Sequence, residues 1–166
     1  VEDIPGTALT EGLTWEWESF PEYLDALDAK PHTLDLGVHV PHAALRTYVM
    51  GDRGAEHLEA PTDDELRRMT DLFRAALDAG ALGFATSRTD VHRTKDGTNI
   101  GTLTASEREL LAFADVMRAA DAGVMQLISD AYQTPDDEFA DREFDLMEAF
   151  AHASGRPLRF TVQQAY

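Results

Sequence analysis

Cysteine is absent from the 166-residue chain. Without a thiol it can build neither a disulfide framework nor a thiolate metal cluster. No apolar run approaches the roughly 20 residues needed to span a bilayer. Basic residues are scarce: 14 Lys and Arg stand against 31 Asp and Glu, for a formal net charge of −17 and a pI near 4.5. Such an imbalance opposes nucleic acid or an anionic membrane as partner, and acids spread over helix faces and loops form a solvated acidic surface. There is no G-x-G-x-x-G, no Walker A sequence, no H-E-x-x-H and no G-x-S-x-G, so nucleotide-binding, zincin and serine-hydrolase readings lose their usual sequence support. With no signal peptide in view, the expected location is cytoplasmic. The sequence opens on Val1 without an initiator methionine and stops at Tyr166 soon after an expected strand, so it is expected to be a piece of something longer.

Hydrophobic content of 43% is ample for one core. The chain is organised around Thr62 to Arg88. Thr62 and Glu65 form a T-x-x-E capping box that fixes a helix start. Leu66, Met69, Leu72, Phe73, Ala76 and Leu77 then recur at intervals of three and four, on one helical stripe. Gly80 stands where a left-handed cap is wanted. Ala81 to Ala85 follow as an apolar run without alternation, expected of a strand covered on both faces and closed by Thr86, Ser87 and Arg88.

The same grammar recurs. Val1 to Phe20, with Trp15 and Trp17, lacks a clean period and is expected to be irregular. Ser19 and Glu22 box a short helix, with Pro31 beyond it, before a strand over Thr33 to Val40. Ala43 to Met50 has helical spacing. Thr89 to Thr102 is a loop whose length points to function. Thr104 and Glu107 are expected to box a helix closed by Gly123, ahead of a strand over Val124 to Ile128. A helix opening at Thr134 and stopped by Gly155 leads to a last strand over Leu158 to Val162. Helix followed by strand, four times over, predicts a parallel α/β sheet in a single segment. Strand starts roughly 35 to 50 residues apart fit a partial (β/α)8 TIM-barrel of about four parallel strands better than a compact doubly wound sheet.

In either architecture ligands bind beyond the carboxyl ends of the strands. His39, His42, Thr86, Ser87, Arg88, Ser129, Asp130, Gln163 and Gln164 lie there. His39 and His42 can be read as an H-x-x-H metal pair or as structural histidines, since a spacing of three on a strand puts them on opposite faces unless Pro41 turns the chain. Arg88 can clamp a substrate carboxylate bidentately or close an ion pair at the barrel rim. Asp130 can serve as a general base or cap the following loop. His92 and Lys95 in the long loop can contact substrate or be solvated.

The succession VEDIPG, EGLTWEWESFPEYLDAL, HVPHAALRTYVMG and AALDAGALGFATSR resembles the D-aminoacylase branch of the amidohydrolase superfamily, the N-acyl-D-amino-acid deacylases. The match runs from Val1 to about Arg88; beyond it only the helix and strand rhythm persists. The resemblance implies the middle of a (β/α)8 barrel in a metal-dependent amide hydrolase, with zinc activating water and polarising the scissile carbonyl of a small N-acyl amino acid. Its first-strand histidine pair and cysteine would precede Val1, and its late aspartate would follow Tyr166. Two further family histidines correspond to the ends of VMQLISD and LRFTVQQ, and neither stretch contains one. Gln126, Asp130 and Gln163 are the polar groups there, and neutral amides bind zinc poorly. His42, Arg46 and Ser87 map onto family positions and are expected, with Arg88, to bind substrate; Asp130 is the expected catalytic residue, and the metal ligands are unassigned. Two alternatives stay open: a catalytically silent structural or interaction module, and a small self-contained doubly wound ligand-binding domain. Half a barrel leaves open strand edges and is expected to form a homo-oligomer or aggregate.

Overall fold

The structure, a computed structural model, describes residues 4 and 6–162. Gly6–Gly12 forms helix α1, where no regular element was expected, and none of its residues is buried. Ser19 and Glu22 complete their reciprocal box ahead of α2, Phe20–Asp28. Strand β1 is confined to His39–Pro41. The longer strand expected from Thr33 does not form: Leu34 and Leu36 are exposed, and β1 lies at the sheet edge, with β2 as its only neighbour in the described sheet. Helix α3, His42–Met50, follows without a break.

Helix α4, Asp63–Asp78, starts at the Thr62 and Glu65 box as the sequence predicts. It ends in a Schellman arrangement: Gly80, at φ 109°, lets the Ala81 N–H reach the Ala76 carbonyl at 2.9 Å. Strand β2 then runs Gly83–Arg88, so the polar triplet Thr86, Ser87 and Arg88 belongs to the strand itself. Helix α5, Glu107–Ala120, is capped by Ser106 rather than Thr104, because Ser106 accepts the Glu109 N–H. Asp121 takes the left-handed position at its end. Strand β3 is Val124–Ser129. Helix α6, Asp137–Ser154, is capped by Asp136, and Thr134 only steadies the preceding turn by accepting the Asp136 N–H. Gly155 closes it in the left-handed conformation, and β4 is Leu158–Phe160.

All three strand pairings are parallel and the order is β1-β2-β3-β4. A doubly wound sheet reverses its order at a switch point. These four strands follow one another without reversal, and α3, α4, α5 and α6 pack each against the next or onto the strands. Right-handed crossovers in one direction put the helices on one face, as in one wall of a barrel.

That face is the core. Phe84 of β2 meets Phe73 of α4 at 5.5 Å and stacks on Phe113 of α5 at 4.3 Å between ring centroids. Met125 and Leu127 of β3 join Leu110, Met117 and Phe150 there, nearly or wholly without solvent contact. The opposite side chains, Ala85 and Ser87 of β2 with Gln126 and Ile128 of β3, are only half-buried. In this segment one face of β2 packs on helices and the other is half-buried.

Gly83 at φ 144° lies against β3, where an added Cβ would collide with the Val124 backbone carbonyl. Gly80 has positive φ but open space. Gly83→Ala is therefore expected to destabilise by about 2–3 kcal/mol, combining strain with backbone displacement. Gly80→Ala should cost about 1 kcal/mol from the left-handed penalty alone. Denaturant unfolding of the two variants side by side measures the difference.

Candidate active site

Alternation along each strand divides the strand ends into two sets. Thr86, Arg88 and Ser129 bond to groups from the helix layer, whereas Ser87, Ile128 and, beyond β3, Asp130 belong to the other phase.

On the helix side, His42 and Arg46 lie one turn apart on α3, and both are essentially sealed from solvent. Arg46 grips both oxygens of Glu109 with one amino group, at 2.6 and 2.7 Å. Its remaining nitrogens donate to the Gly54 and Glu59 carbonyls at 3.3 and 2.6 Å. His42 Nε2 lies 2.9 Å from Glu109 Oε1, and His42 Nδ1 lies 2.9 Å from Thr86 Oγ1. Burial pushes the His42 pKa below its usual value, only partly offset by the hydrogen bond and charge of Glu109. Burial pushes Glu109 upward, but the His42 hydrogen bond and the charge and hydrogen bonds of Arg46 outweigh it, so the carboxyl titrates below its usual range. A neutral His42 then donates from Nε2 to Glu109 and accepts from Thr86, while Arg46 and Glu109 cancel in charge. Both side chains are sealed from solvent in this segment, where they tie α3 to β2 and α5 rather than present their polar groups at its surface.

Arg88 is spoken for in the same way. Its Nε lies 3.1 and 2.9 Å from the two Glu143 oxygens, another nitrogen reaches Glu143 at 2.6 Å, and the third donates to the Ala105 carbonyl at 2.6 Å. Ser129 Oγ donates to Glu143 at 2.7 Å. Of the two readings of Arg88, the ion pair is the one observed in this segment.

The inner side carries different chemistry. Ser87 Oγ lies 2.8 Å from His92 Nδ1, both residues half-buried. Asp130 accepts the Asp90 N–H at 2.9 Å and the Gln133 side-chain amide at 3.0 Å. Asp130 thus holds the loop that presents His92, a loop-capping arrangement. Lys95 stays exposed. His39 lies across the sheet from His42, with its Nε2 buried and unpartnered, and burial together with the Arg159 charge lowers its pKa.

The residues present do not assemble a metal site: among the described residues no three His, Asp or Glu side chains converge. His39 and His42 do not form a pair, Asp130 is engaged by amides, and Gln163 and Gln164 lie outside the described residues. Glu109 and Glu143, which organise the helix side, were not singled out in the sequence. Their signal was faint: each is an acid at a helical position next to apolar neighbours.

Removing the Glu109 charge leaves Arg46 buried without its counterion. Glu109→Gln is expected to cost about 3–5 kcal/mol in denaturant unfolding. For pH, both His42 and Glu109 have folded-state pKa values below their ordinary 6.5 and 4.5, so the unfolded chain binds protons first. Stability is full above 6.5, declines below it as His42, with His39 adding to the same window, resists protonation, and falls again below 4.5 through Glu109. Thermal melts from pH 8 down to about pH 2.5 should show this two-stage loss.

Comparison with known proteins agrees with the architecture. Residues 6–166 match the family model described as "Amidohydrolase family". A D-aminoacylase of Alcaligenes xylosoxydans xylosoxydans is 39% identical over 82 residues, 49% of this chain and 16% of that protein. An uncharacterized protein of Mycobacterium tuberculosis is 38% identical over 79 residues, 47% of this chain and 13% of its own. Among solved structures, N-acyl-D-glutamate deacylase from Bordetella bronchiseptica, complexed with zinc and a phosphonate inhibitor that mimics the tetrahedral intermediate, superposes with a TM-score of 0.61 at 26% identity. That superposition covers 84% of this chain and 26% of the deacylase, and the curated relatives are likewise matched over less than a fifth of their length. With its consecutive parallel strands forming one wall of a barrel, the chain is a D-aminoacylase-like segment that belongs to the amidohydrolase family.

Proposed function

We propose that this segment forms part of a cytoplasmic hydrolase that cleaves the amide bond of N-acyl-D-amino acids or closely related small amides. The observation that carries the reading is the polar set Ser87, His92 and Asp130 on the open inner side of a family barrel wall, at the strand ends where such barrels bind ligands. In this reading Ser87 contacts the substrate and Asp130 positions the loop above it. His42, Arg46 and Arg88 act from behind the sheet by fixing the strand ends. The deacylase neighbour was solved with zinc. Zinc dependence is proposed for the parent enzyme by analogy, with ligands drawn from outside the described residues, and no step is assigned to a metal here.

That no three ligating side chains converge among the described residues favours one competing reading, a catalytically silent structural module. Matched N-acyl-D- and N-acyl-L-amino acids, assayed with the full-length parent in the presence and absence of a chelator, separate the two. Chelator-sensitive cleavage, at least tenfold faster for the D series, is the expected result. Folded protein that cleaves neither series favours the silent module or a different amide substrate.

A further inference from the structure

We infer that Arg159 binds the substrate's carboxylate inside the barrel; that this is the α-carboxylate of an N-acyl amino acid rests on the function proposed above. Of the chain's 12 arginines, ten are paired with carboxylates and Arg68 lies over the Tyr48 ring at 5.7 Å. Arg159 alone has no carboxylate, aromatic or hydrogen-bond partner among the described residues, and it is exposed.

Its place in β4 gives the side chain a direction. Leu158 and Phe160 stand opposite Met125 and Leu127 of β3. Leu158 packs on the core and Phe160 meets Phe144 of α6 at 6.3 Å between ring centroids, so both take the helix face. Alternation then sends Arg159 to the inner face, in one row with Ala85 and Gln126. No inner-phase residue of the four strands is acidic, although the chain carries 31 Asp and Glu. The first acid in that phase is Asp130, beyond β3, and both its oxygens accept N–H groups. His39 of β1, whose buried Nε2 has no partner, senses the cation: burial lowers its pKa first, and the Arg159 charge lowers it further. In a chain of net charge −17, this face is a local positive field suited to an anion.

A guanidinium turned into a barrel must be met by an anion, because desolvating it unpaired is costly. Where this chain uses a buried arginine for structure it supplies the acid itself, Glu109 to Arg46 and Glu143 to Arg88. It supplies none to Arg159 among the described residues. A ligand carboxylate meets the need, since the guanidinium fork matches it bidentately. Arg159 stands one inner row below Ser87 and Ile128, roughly 6.6 Å of strand, a distance that an arginine stem covers. Its fork therefore reaches the strand ends, where such barrels bind ligands. The carboxylate lies on the amine side of the scissile amide, so Arg159 orients the substrate and takes no part in breaking the bond.

The full-length, metal-loaded parent tests the assignment with an N-acyl-D-amino acid and its carboxamide, which replaces the anion by a neutral group of similar shape. Arg159→Met, which keeps the apolar stem, is expected to raise KM for the acid on the order of 10²-fold with kcat little changed, the pattern of a lost binding contact. KM for the carboxamide should stay near its wild-type value. Arg159→Lys keeps the charge without the fork and should recover part of the loss. If Arg159→Met does not fold, Arg159→Lys carries the same comparison, with its smaller loss confined to the acid. Calorimetric binding of the uncleavable ketone analogue, with a methylene in place of the amide nitrogen, as acid and as carboxamide, gives the same ratio without turnover. Variants that weaken acid and carboxamide alike assign Arg159 to an ion pair within the barrel and overturn the proposal, as do variants that change neither. Absence of cleavage with an Arg159-dependent preference for the acid intact in calorimetry removes the deacylase reading alone. Cleavage of the D series with an unchanged preference in the variants removes the Arg159 assignment alone.

Discussion

The buried carboxylate of Glu109 is the constraint on which the wall of this barrel depends. It stands on the first turn of α5, yet its partners are two residues of α3, and one of those partners also reaches Thr86 of β2. Three elements far apart in sequence are thereby fixed around one oxygen pair. An Arg and a Glu buried together gain little over apolar packing, because desolvation consumes most of their attraction. Their value lies in uniqueness: a sheet edge made of three residues has few backbone bonds to set its register, and this network supplies directional contacts at that weak edge.

A second carboxylate repeats the solution one unit further along. Glu143 of α6 joins Arg88 at the end of β2 to Ser129 at the end of β3. Each helix layer therefore contributes an acid that grips the carboxyl end of a strand from outside. The inner side chains at those ends are left free to face a ligand. Adjacent residues divide the labour: Arg88 is spent on structure, and Ser87, one position earlier and in the opposite phase, meets the long loop.

Much of the fold was legible because its signals are local. The boxes at Ser19 and Thr62, the glycine after α4 and the apolar stripe of α4 each depend on residues within a turn of one another. Where two local signals competed, the sequence could mislead. Thr104 and Glu107 have the spacing of a box, and so do Ser106 and Glu109; the helix starts at the second, where Ser106 accepts the Glu109 N–H, but only half of that box is made because the Glu109 carboxylate is committed to Arg46 and His42. The strand expected from Thr33 shortens to His39–Pro41, the three residues that pair with β2 in the described sheet, and pairing is a non-local condition. Nothing local distinguishes Glu109 and Glu143 from the other 29 acids of the chain. Which acids are buried is decided by the crossover geometry, and that is read only in three dimensions.

Phase within a strand was the largest loss of information at the site. His42, Arg46, Ser87, Arg88 and Asp130 all cluster near strand ends, and proximity to an end does not say which face a side chain takes. The parallel register supplies the answer, because Thr86 opposite Leu127 and Arg88 opposite Ser129 share the helix face, which obliges Ser87 and Ile128 to share the other. Once that phase is known, the cationic groups that looked suited to an anionic substrate are seen to balance internal carboxylates. An acidic protein has spent two of its 12 arginines on buried carboxylates, Glu109 and Glu143, and what it turns toward the barrel interior from β2 and β3 is hydroxyl, amide and aliphatic surface.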